Sequence, residues 1–391
     1  MKSLCILGST GSVGSNVLRV VAGLPDFRVA ALSAGRNLDL LAKQIAEFAP
    51  DTAVISSREY IEPLQAYLRA LDYRRSLRIL TGTEGQTEAA TDPRVDFVVS
   101  ASHGVTSLLA TYEAVRAGKR IGLANKETLV AAGEVVMQAA RERGVEILPI
   151  DSEHSALHQC LRSGIPREVR RVILTASGGP FLRWRKQDLD AVTPEQALKH
   201  PVWSMGGRIT VDSATLMNKG FEVIEARWLF GLPPEQVDVL IHPESIVHSM
   251  VEFVDGSVLA QLAVPDMRIP IQYALTHPDR LPGNGGALDL RLASLKHLHF
   301  EPPKRRKFPC LELAREAVDR GGALTCALNA ADEIAVEAFL ARQLRFPDIA
   351  RVVAKVLEQT TPARLGSIEE VLDCDREARE RARAEIRAGA T

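Results

Sequence analysis

Two short stretches carry the residue types that could hold a metal ion. Asp151-Ser152-Glu153-His154 follows an apolar run, Val145–Ile150, that reads as a strand. Residues two apart in an extended segment point the same way, so Asp151 and Glu153 can converge on one cation. Paired carboxylates at the carboxyl end of a strand, where α/β sheets bind ligands, suit Mg2+ or Mn2+. The same acids would also suit a helix N-terminus, where the helix dipole favours them. The second stretch is Asn218-Lys219-Gly220-Phe221-Glu222. On a helix Asn218 and Glu222 share a face, so Glu222 can add a third oxygen beside an amide and an ammonium suited to an anionic substrate. Glu225 and Arg227 read as the polar face of an amphipathic helix, whereas Asn218 and Gly220 are poor helix formers in the middle of one.

Gly8-Ser9-Thr10-Gly11-Ser12-Val13-Gly14 stands between a strand and an amphipathic helix. There, glycines let the backbone approach a pyrophosphate seated at the helix N-terminus. The spacing also fits a tight turn with no ligand. The second strand ends Ser33-Ala34-Gly35-Arg36-Asn37, with an arginine where NAD enzymes usually carry an acid, and a guanidinium suits a 2′-phosphate. The expected cofactor is NADPH, with Asp39 on a helix surface. Ser177-Gly178-Gly179 offers a hydroxyl and backbone donors in a turn, a place for a phosphate. His200 precedes Pro201-Val202-Trp203-Ser204-Met205-Gly206-Gly207, a loop that reads as a lid, and singly it is as readily structural as functional. His154 and His248 are expected at the site rim.

The elements that must position these groups follow from periodicity. Strands are expected at Leu4–Leu7, Arg28–Leu32, Thr52–Ile55, Phe97–Ser100, Arg120–Leu123 and Val145–Ile150, alternating with helical stretches: a Rossmann-like, doubly wound parallel sheet. A central α+β region carries a strand at Val169–Thr175, a capping box at Thr193-Pro194-Glu195-Gln196, and a helix capped by Asp212 or Ser213 that runs to Phe230. Ile246–Val254 and Ser257–Val264 flank the hairpin signal Asp255-Gly256. Helical spacing resumes after Pro309. The expected division is 1–150 for NADPH binding, 151–277 for metal and substrate, 278–308 as a linker and 309–391 as a C-terminal helical bundle. Lys304–Lys307, without interleaved aromatics, reads as part of a solvated linker rather than a nucleic-acid contact.

Composition narrows the class. At 391 residues, 46% hydrophobic and 25% charged, the chain suits a soluble protein of two or three domains. A formal net charge of -1 gives no electrostatic reason for a nucleic-acid or membrane partner. There is no uncharged apolar run of about 18 residues, and Met1-Lys2-Ser3 leads straight into a strand. The five cysteines are scattered, with no CxxC pair. The expected location is the cytoplasm.

Taken in order, Gly8–Gly14, Asn125-Lys126-Glu127, Asp151–His154, Ser177–Pro180, His200-Pro201, Trp203–Gly206, Val211–Thr215, Met217–Gly220, Ile224–Trp228, Ile241–Pro243 and Ala327–Ala331 resemble the 1-deoxy-D-xylulose 5-phosphate reductoisomerase family over essentially the whole chain. The resemblance implies an oxidoreductase that isomerises and reduces 1-deoxy-D-xylulose 5-phosphate to 2-C-methyl-D-erythritol 4-phosphate, a step of non-mevalonate isoprenoid synthesis. It implies Asp151, Glu153 and Glu222 as ligands of Mg2+ or Mn2+, with the metal polarising the substrate carbonyl. The substrate phosphate falls to Ser177, Ser213, Asn218 and Lys219, and the rest of the substrate to Lys126, Ser152 and His200. Cofactor contacts fall to Thr10, Gly11, Ser12, Val13, Gly35, Arg36, Asn37, Asn125, Glu127 and Gly206. Trp203 and Met205 map to a mobile flap, and the family is homodimeric. The chain departs from the family pattern at Ala101-Ser102-His103-Gly104, at Gly207, where a basic residue is usual, and at Ala176. An ordinary NADPH dehydrogenase would have no use for three carboxylates at one site. Nor would a non-catalytic nucleotide sensor need them together with Lys219 and the lid.

Overall fold

Strands buried on both faces carry near-continuous aliphatic runs, and the chain up to Pro149 supplies them. In the computed structural model, which describes residues 1–203, 206–283, 285–289, 291 and 297–389, seven strands, most of them such runs, form one parallel sheet. They are β1 (Lys2–Leu7), β2 (Phe27–Ala34), β3 (Thr52–Ile55), β4 (Arg78–Thr81), β5 (Phe97–Ser100), β6 (Arg120–Leu123) and β7 (Ile147–Pro149), in the order β4-β3-β2-β1-β5-β6-β7. The strand order reverses between β1 and β5, the place where open α/β sheets bind ligands. Helices α1 (Ser12–Val21), α2 (Leu38–Phe48), α3 (Ile61–Ala70), α4 (Gly82–Thr91) and α5 (Leu108–Arg116) alternate with the strands. The doubly wound architecture is as expected. β7 is shorter than the Val145–Ile150 run, and β4 is an added edge strand.

The chain divides into two compact units. The first is Met1–Thr128, Val136–Ser155 and Asp266–Gly285. Its late segment carries α11 (Arg268–Thr276), whose Ile271, Ala274 and Leu275 are fully buried in the same core as Leu4, Ile6 and Val17. Two helices run through the unit boundaries, α6 (Glu127–Arg143), which kinks at Ala132, and α7 (Ser152–Leu161).

The second unit is Leu129–Val135, Ala156–Pro265 and Gly286–Thr391. It holds a mixed sheet in the order β11-β10-β8-β9, built from β8 (Val169–Ala176), β9 (Val237–Ile241), β10 (Val247–Phe253) and β11 (Val258–Leu262). Only the β8–β9 pair is parallel. The turn between β10 and β11 is Asp255-Gly256, where Gly256 takes φ +88 and Asp255 accepts the Ser257 amide at 2.9 Å. Helices α8 (Pro194–Ala197), α9 (Gly207–Thr215), α10 (Met217–Phe230), α12 (Cys310–Arg320), α13 (Ala323–Leu340), α14 (Asp348–Glu358) and α15 (Ile368–Gly389) complete it. The sheet and the C-terminal helices share one hydrophobic core, in which Val172, Leu174 and Phe221 lie with Leu311, Leu328 and Val353. One unit boundary, at Ser155 and Ala156, falls near the expected cut at 150, while α11, from within the expected 151–277 stretch, packs with the first sheet and α12 to α15 share the core of the second.

One local expectation needs correction and one needs refining. Asp212 and Ser213 cap no helix: they lie inside α9, and the chain breaks at Leu216, which takes φ +63, before α10 begins. In the Lys304–Lys307 run, Lys304, Arg305 and Arg306 are exposed, as a solvated linker implies, whereas Lys307 is half-buried. Lys307 Nζ donates to the carbonyls of Phe181, Leu182 and Trp184, and Phe308 is 2% exposed. Residues 284, 290 and 292–296 of the expected linker lie outside the described residues. Among the described residues no helix is long and apolar enough to cross a membrane.

Candidate active site

In the first unit the glycine loop is shaped by close approach. Gly8 takes φ +86, and a Cβ there would stand 2.7 Å from the Ala101 carbonyl. A Cβ on Gly14 would stand 2.2 Å from the Gly8 carbonyl, so the loop curls directly onto the first turn of α1. No side chain caps α1, whose preceding residue is Gly11, so its leading amides keep the anion-binding character of a helix start. Gln44, buried on α2, donates to the Ser9 carbonyl at 2.9 Å and holds the loop in place. Sequence reasoning missed Gln44; the signal was a polar residue on the apolar face set by Leu41, Ile45 and Phe48. Thr10 and Val13 are half-buried, and Ser12 is exposed.

Beyond the carboxyl end of β2, Gly35, Arg36 and Asn37 are exposed. Asn37 accepts the Leu40 amide at 3.3 Å and caps α2, a structural task its cofactor assignment did not include. Asp39 pairs with Lys43 on the helix surface, as expected. Asn125 is 2% exposed and its amide is fully engaged. It donates to the carbonyls of Ser102 and Gly104 at 2.8 and 2.9 Å and accepts from Thr128. Glu127 accepts the Gly104 amide at 3.0 Å. Both residues thus brace the divergent Ala101–Gly104 loop beside Gly8.

Asp151 and Glu153 do not sit on an extended strand. Asp151 accepts the amides of Glu153 and His154 at the start of α7, so the chain turns helical at Ser152 because Asp151 supplies the cap. Lys126 Nζ donates to the Asp151 carboxylate, and His154 Nδ1 lies 3.2 Å from it. Burial pushes the Asp151 carboxyl up, yet Lys126 and His154 outweigh it and hold the group well below its ordinary value. Ser152 Oγ donates to Glu153 at 2.5 Å. The helix-start reading and the paired-acid reading therefore describe the same residues. His154, 0% exposed, and His248, 6% exposed, belong to the interior and not to a rim.

In the second unit β8 delivers Ser177 into a turn made by two left-handed glycines, Gly178 at φ +82 and Gly179 at φ +67. A Cβ on Gly179 would stand 2.8 Å from the Ser213 carbonyl, so this turn packs on α9 and brings Ser177 and Ser213 into one neighbourhood. His200 Nδ1 accepts the amides of Val202 and Trp203 at 3.1 and 2.8 Å. In the neutral ring the proton is therefore on Nε2, which lies 2.9 Å from Ser177 Oγ and donates to it. On α10, Asn218 Nδ2 donates to Glu222 Oε1 at 2.7 Å and Lys219 Nζ to Oε2 at 2.5 Å. Glu222 has 0% exposure and Lys219 3%, so each charge is compensated where water is excluded. Gly220 has a packing reason: a Cβ there would stand 2.5 Å from the Ala314 Cβ of α12. Gly206 precedes α9, and Trp203 is half-buried, its ring 6.4 Å from that of His248. Met205, the other expected flap residue, lies outside the described residues.

Residues 4–133 match a family profile described as 1-deoxy-D-xylulose 5-phosphate reductoisomerase, residues 147–230 its C-terminal domain profile, and residues 262–381 a profile described as DXP reductoisomerase C-terminal domain. The 1-deoxy-D-xylulose 5-phosphate reductoisomerase of Solibacter usitatus is 50% identical over 396 residues, covering 100% of this chain and 99% of its own. The solved structure of the Zymomonas mobilis enzyme of that name, in complex with NADPH, is 42% identical with a TM-score of 0.89, covering 98% of this chain and 99% of that one. A DOX-P reductoisomerase solved with NADPH, fosmidomycin and magnesium is 41% identical with a TM-score of 0.92, covering 99% and 98%.

Proposed function

This chain belongs to the 1-deoxy-D-xylulose 5-phosphate reductoisomerase family, and we propose that the residues assigned by resemblance carry that family's reaction here. The chain is an NADPH- and magnesium-dependent oxidoreductase that converts 1-deoxy-D-xylulose 5-phosphate to 2-C-methyl-D-erythritol 4-phosphate. The observation that carries the residue assignment is Glu222, buried and bonded by Lys219 and Asn218 one helical turn or less away.

The donor set fits a hard divalent cation. Asp151, Glu153 and Glu222 offer only carboxylate oxygen, and Asp151 and Glu222 each already face a lysine ammonium, so positive charge is stabilised at both. Manganese would serve in place of magnesium, since both accept such oxygens. The glycine cradle at Gly8 and Gly14, which a Cβ would fill, and the uncapped start of α1 fit a pyrophosphate. Arg36, exposed after β2, takes the 2′-phosphate, with Thr10, Gly11, Ser12, Val13, Gly35, Asn37, Asn125, Glu127 and Gly206 around the rest of the cofactor.

When bound, the cation supplies Lewis acidity toward the substrate's carbonyl and hydroxyl oxygens, and NADPH supplies the hydride. The chain's own residues bind and orient. Lys219 meets the substrate phosphate with an ammonium already desolvated, and Ser177, Ser213 and Asn218 add neutral hydrogen bonds. His200 offers its Nε2 proton, and Lys126 its ammonium, to substrate oxygens beside Ser152. Trp203 shields the reacting carbon from water. The division of labour is 1–150 for the cofactor, 151–277 for metal and substrate, with 309–391 as a brace joined by 278–308.

The chain acts in the cytoplasm as a homodimer that binds neither nucleic acid nor membrane. The net charge of -1 and scattered cysteines support the first and last points. The dimer is supported by β11, an edge strand that exposes Val258, Leu259 and Leu262. NADPH oxidation with 1-deoxy-D-xylulose 5-phosphate, first with Mn2+ or Mg2+ and then with excess EDTA, tests the function. Metal-dependent loss of NADPH absorbance with methylerythritol phosphate as product is expected. No oxidation by folded protein would refute it.

A further inference from the structure

The C-terminal helices have no task in the reaction as described so far, yet one of their ionic networks ends on a site helix. Arg208, in the first turn of α9, is 17% exposed at its side chain. Its guanidinium donates to Asn329 Oδ1 at 2.9 Å and to Glu333 Oε2 at 3.0 Å, both on α13. Asp332 on the same helix lies 3.7 Å away, and Asp212, one turn along α9, lies 3.6 Å away. Residues 329, 332 and 333 share one face of α13. Glu333 also accepts from Arg379 on α15 at 2.9 Å, and Arg379 pairs with Asp375 at 2.6 Å. The Arg208 guanidinium lies 5.8 Å from the Phe221 ring, next in sequence to Glu222 on α10.

Six charged side chains largely removed from water are a poor way to stabilise a fold, since hydrophobic residues of similar volume usually do as well. They do fix direction, because a planar guanidinium with two acceptors tolerates little rotation. The object so fixed is α9, only nine residues long and ended by the break at Leu216. Its Ser213 carbonyl meets the Gly178-Gly179 turn that carries Ser177. A small rotation of α9 would separate Ser213 from Ser177.

We propose that Arg208 is a positioning residue for the substrate-phosphate site, locking α9 to α13 and α15 so that Ser213 is held beside Ser177. The inference rests on the functional reading above. It gives the C-terminal helices a part in catalysis: they set the phosphate grip without touching substrate.

The test compares Arg208→Gln, Arg208→Lys and Glu333→Gln by steady-state kinetics at saturating NADPH and magnesium, with inorganic phosphate as a competing anion. Arg208→Gln is expected to raise KM for 1-deoxy-D-xylulose 5-phosphate about tenfold, the scale of losing one hydrogen bond from Ser213 to the charged phosphate, while kcat stays within about threefold. The inhibition constant of inorganic phosphate should rise in parallel. Arg208→Lys keeps the charge without the fork and should fall between. Glu333→Gln, which leaves the Asn329 bond intact, gives a second reading with a smaller rise if Arg208→Gln does not fold. A folded Arg208→Gln or Glu333→Gln protein with a lower melting temperature and an unmoved KM would overturn the proposal, since that is what a purely stabilising role predicts. Absence of turnover in the unaltered chain would instead defeat the functional reading, and this inference with it.

Discussion

Asp332 gives the most quantitative expectation. It is fully buried on α13, beyond hydrogen-bond distance of Arg208 at 3.7 Å and with the Glu333 carboxylate next to it. Burial raises its carboxyl from an ordinary 3.8 to about 6, and Arg208 only partly opposes the rise. The folded chain therefore binds this proton more tightly than the unfolded one. The stability it contributes is complete below pH 3.8 and is lost as pH rises through about 6. A rise of about two units, at about 1.36 kcal/mol each, makes the loss about 3 kcal/mol at pH 8. Asp332→Asn keeps the volume and removes the charge. It should be more stable than the unaltered chain by up to about 3 kcal/mol at pH 8 and by about half that at pH 5. Urea unfolding at the two pH values measures this, and the fluorescence reports the right region, because all three tryptophans, Trp184, Trp203 and Trp228, lie with Asp332 in the second unit. An asparagine variant less stable at pH 8, with a gap that does not narrow at pH 5, would show that attraction to Arg208 exceeds the cost of burial.

Glu222→Gln should fold and bind NADPH yet lose at least about a hundredfold in turnover, the scale of losing a metal-site carboxylate; activity within a few-fold of the unaltered chain would rule out Glu222 as a ligand. Arg36→Asp should raise KM for NADPH about tenfold or more and narrow the preference over NADH, read from the ratio of kcat/KM for the two cofactors. An unchanged ratio would move the 2′-phosphate elsewhere. Gly220→Ala gains up to about 1 kcal/mol of helix propensity but forces a methyl to within 2.5 Å of Ala314, and overpacking of about 1–3 kcal/mol should win. Urea unfolding that shows a more stable alanine variant would mean that α10 and α12 can separate freely.

Much of the first sheet was legible because β3, β5 and β6 are short apolar runs bounded by turn residues. β4 was not, since Arg78–Thr81 is only half-buried at a sheet edge and follows the polar Arg74-Arg75-Ser76. β9 escaped because Val237–Ile241 follows closely on Pro233-Pro234, which reads as loop. The break between α9 and α10 falls on Leu216, an aliphatic residue in the left-handed region that no local rule places there. Motif residues such as Ser177, Asn218 and Glu222 were readable because turn and helix geometry are local. Asp151 was legible both as one of two paired acids and as a helix start, and the amides of Glu153 and His154 that it accepts make the helix start the actual backbone. Arg208 with Asn329 and Glu333 left no trace, since more than a hundred residues separate partners whose types are ordinary on a helix.

The return of α11 to the first sheet bears on how the chain is made. The seven strands and their first helices are complete by Pro149, yet Ile271, Ala274 and Leu275 of their core come more than a hundred residues later. At ordinary synthesis rates this leaves an apolar face of the nascent sheet waiting on the order of ten seconds for its cover. A ribosome stalled after β7 has left the exit tunnel and before residue 265 would hold a sheet that is fully threaded but still unsealed. Such chains are where holdase chaperones should be found bound, and full-length chains are where they should have let go.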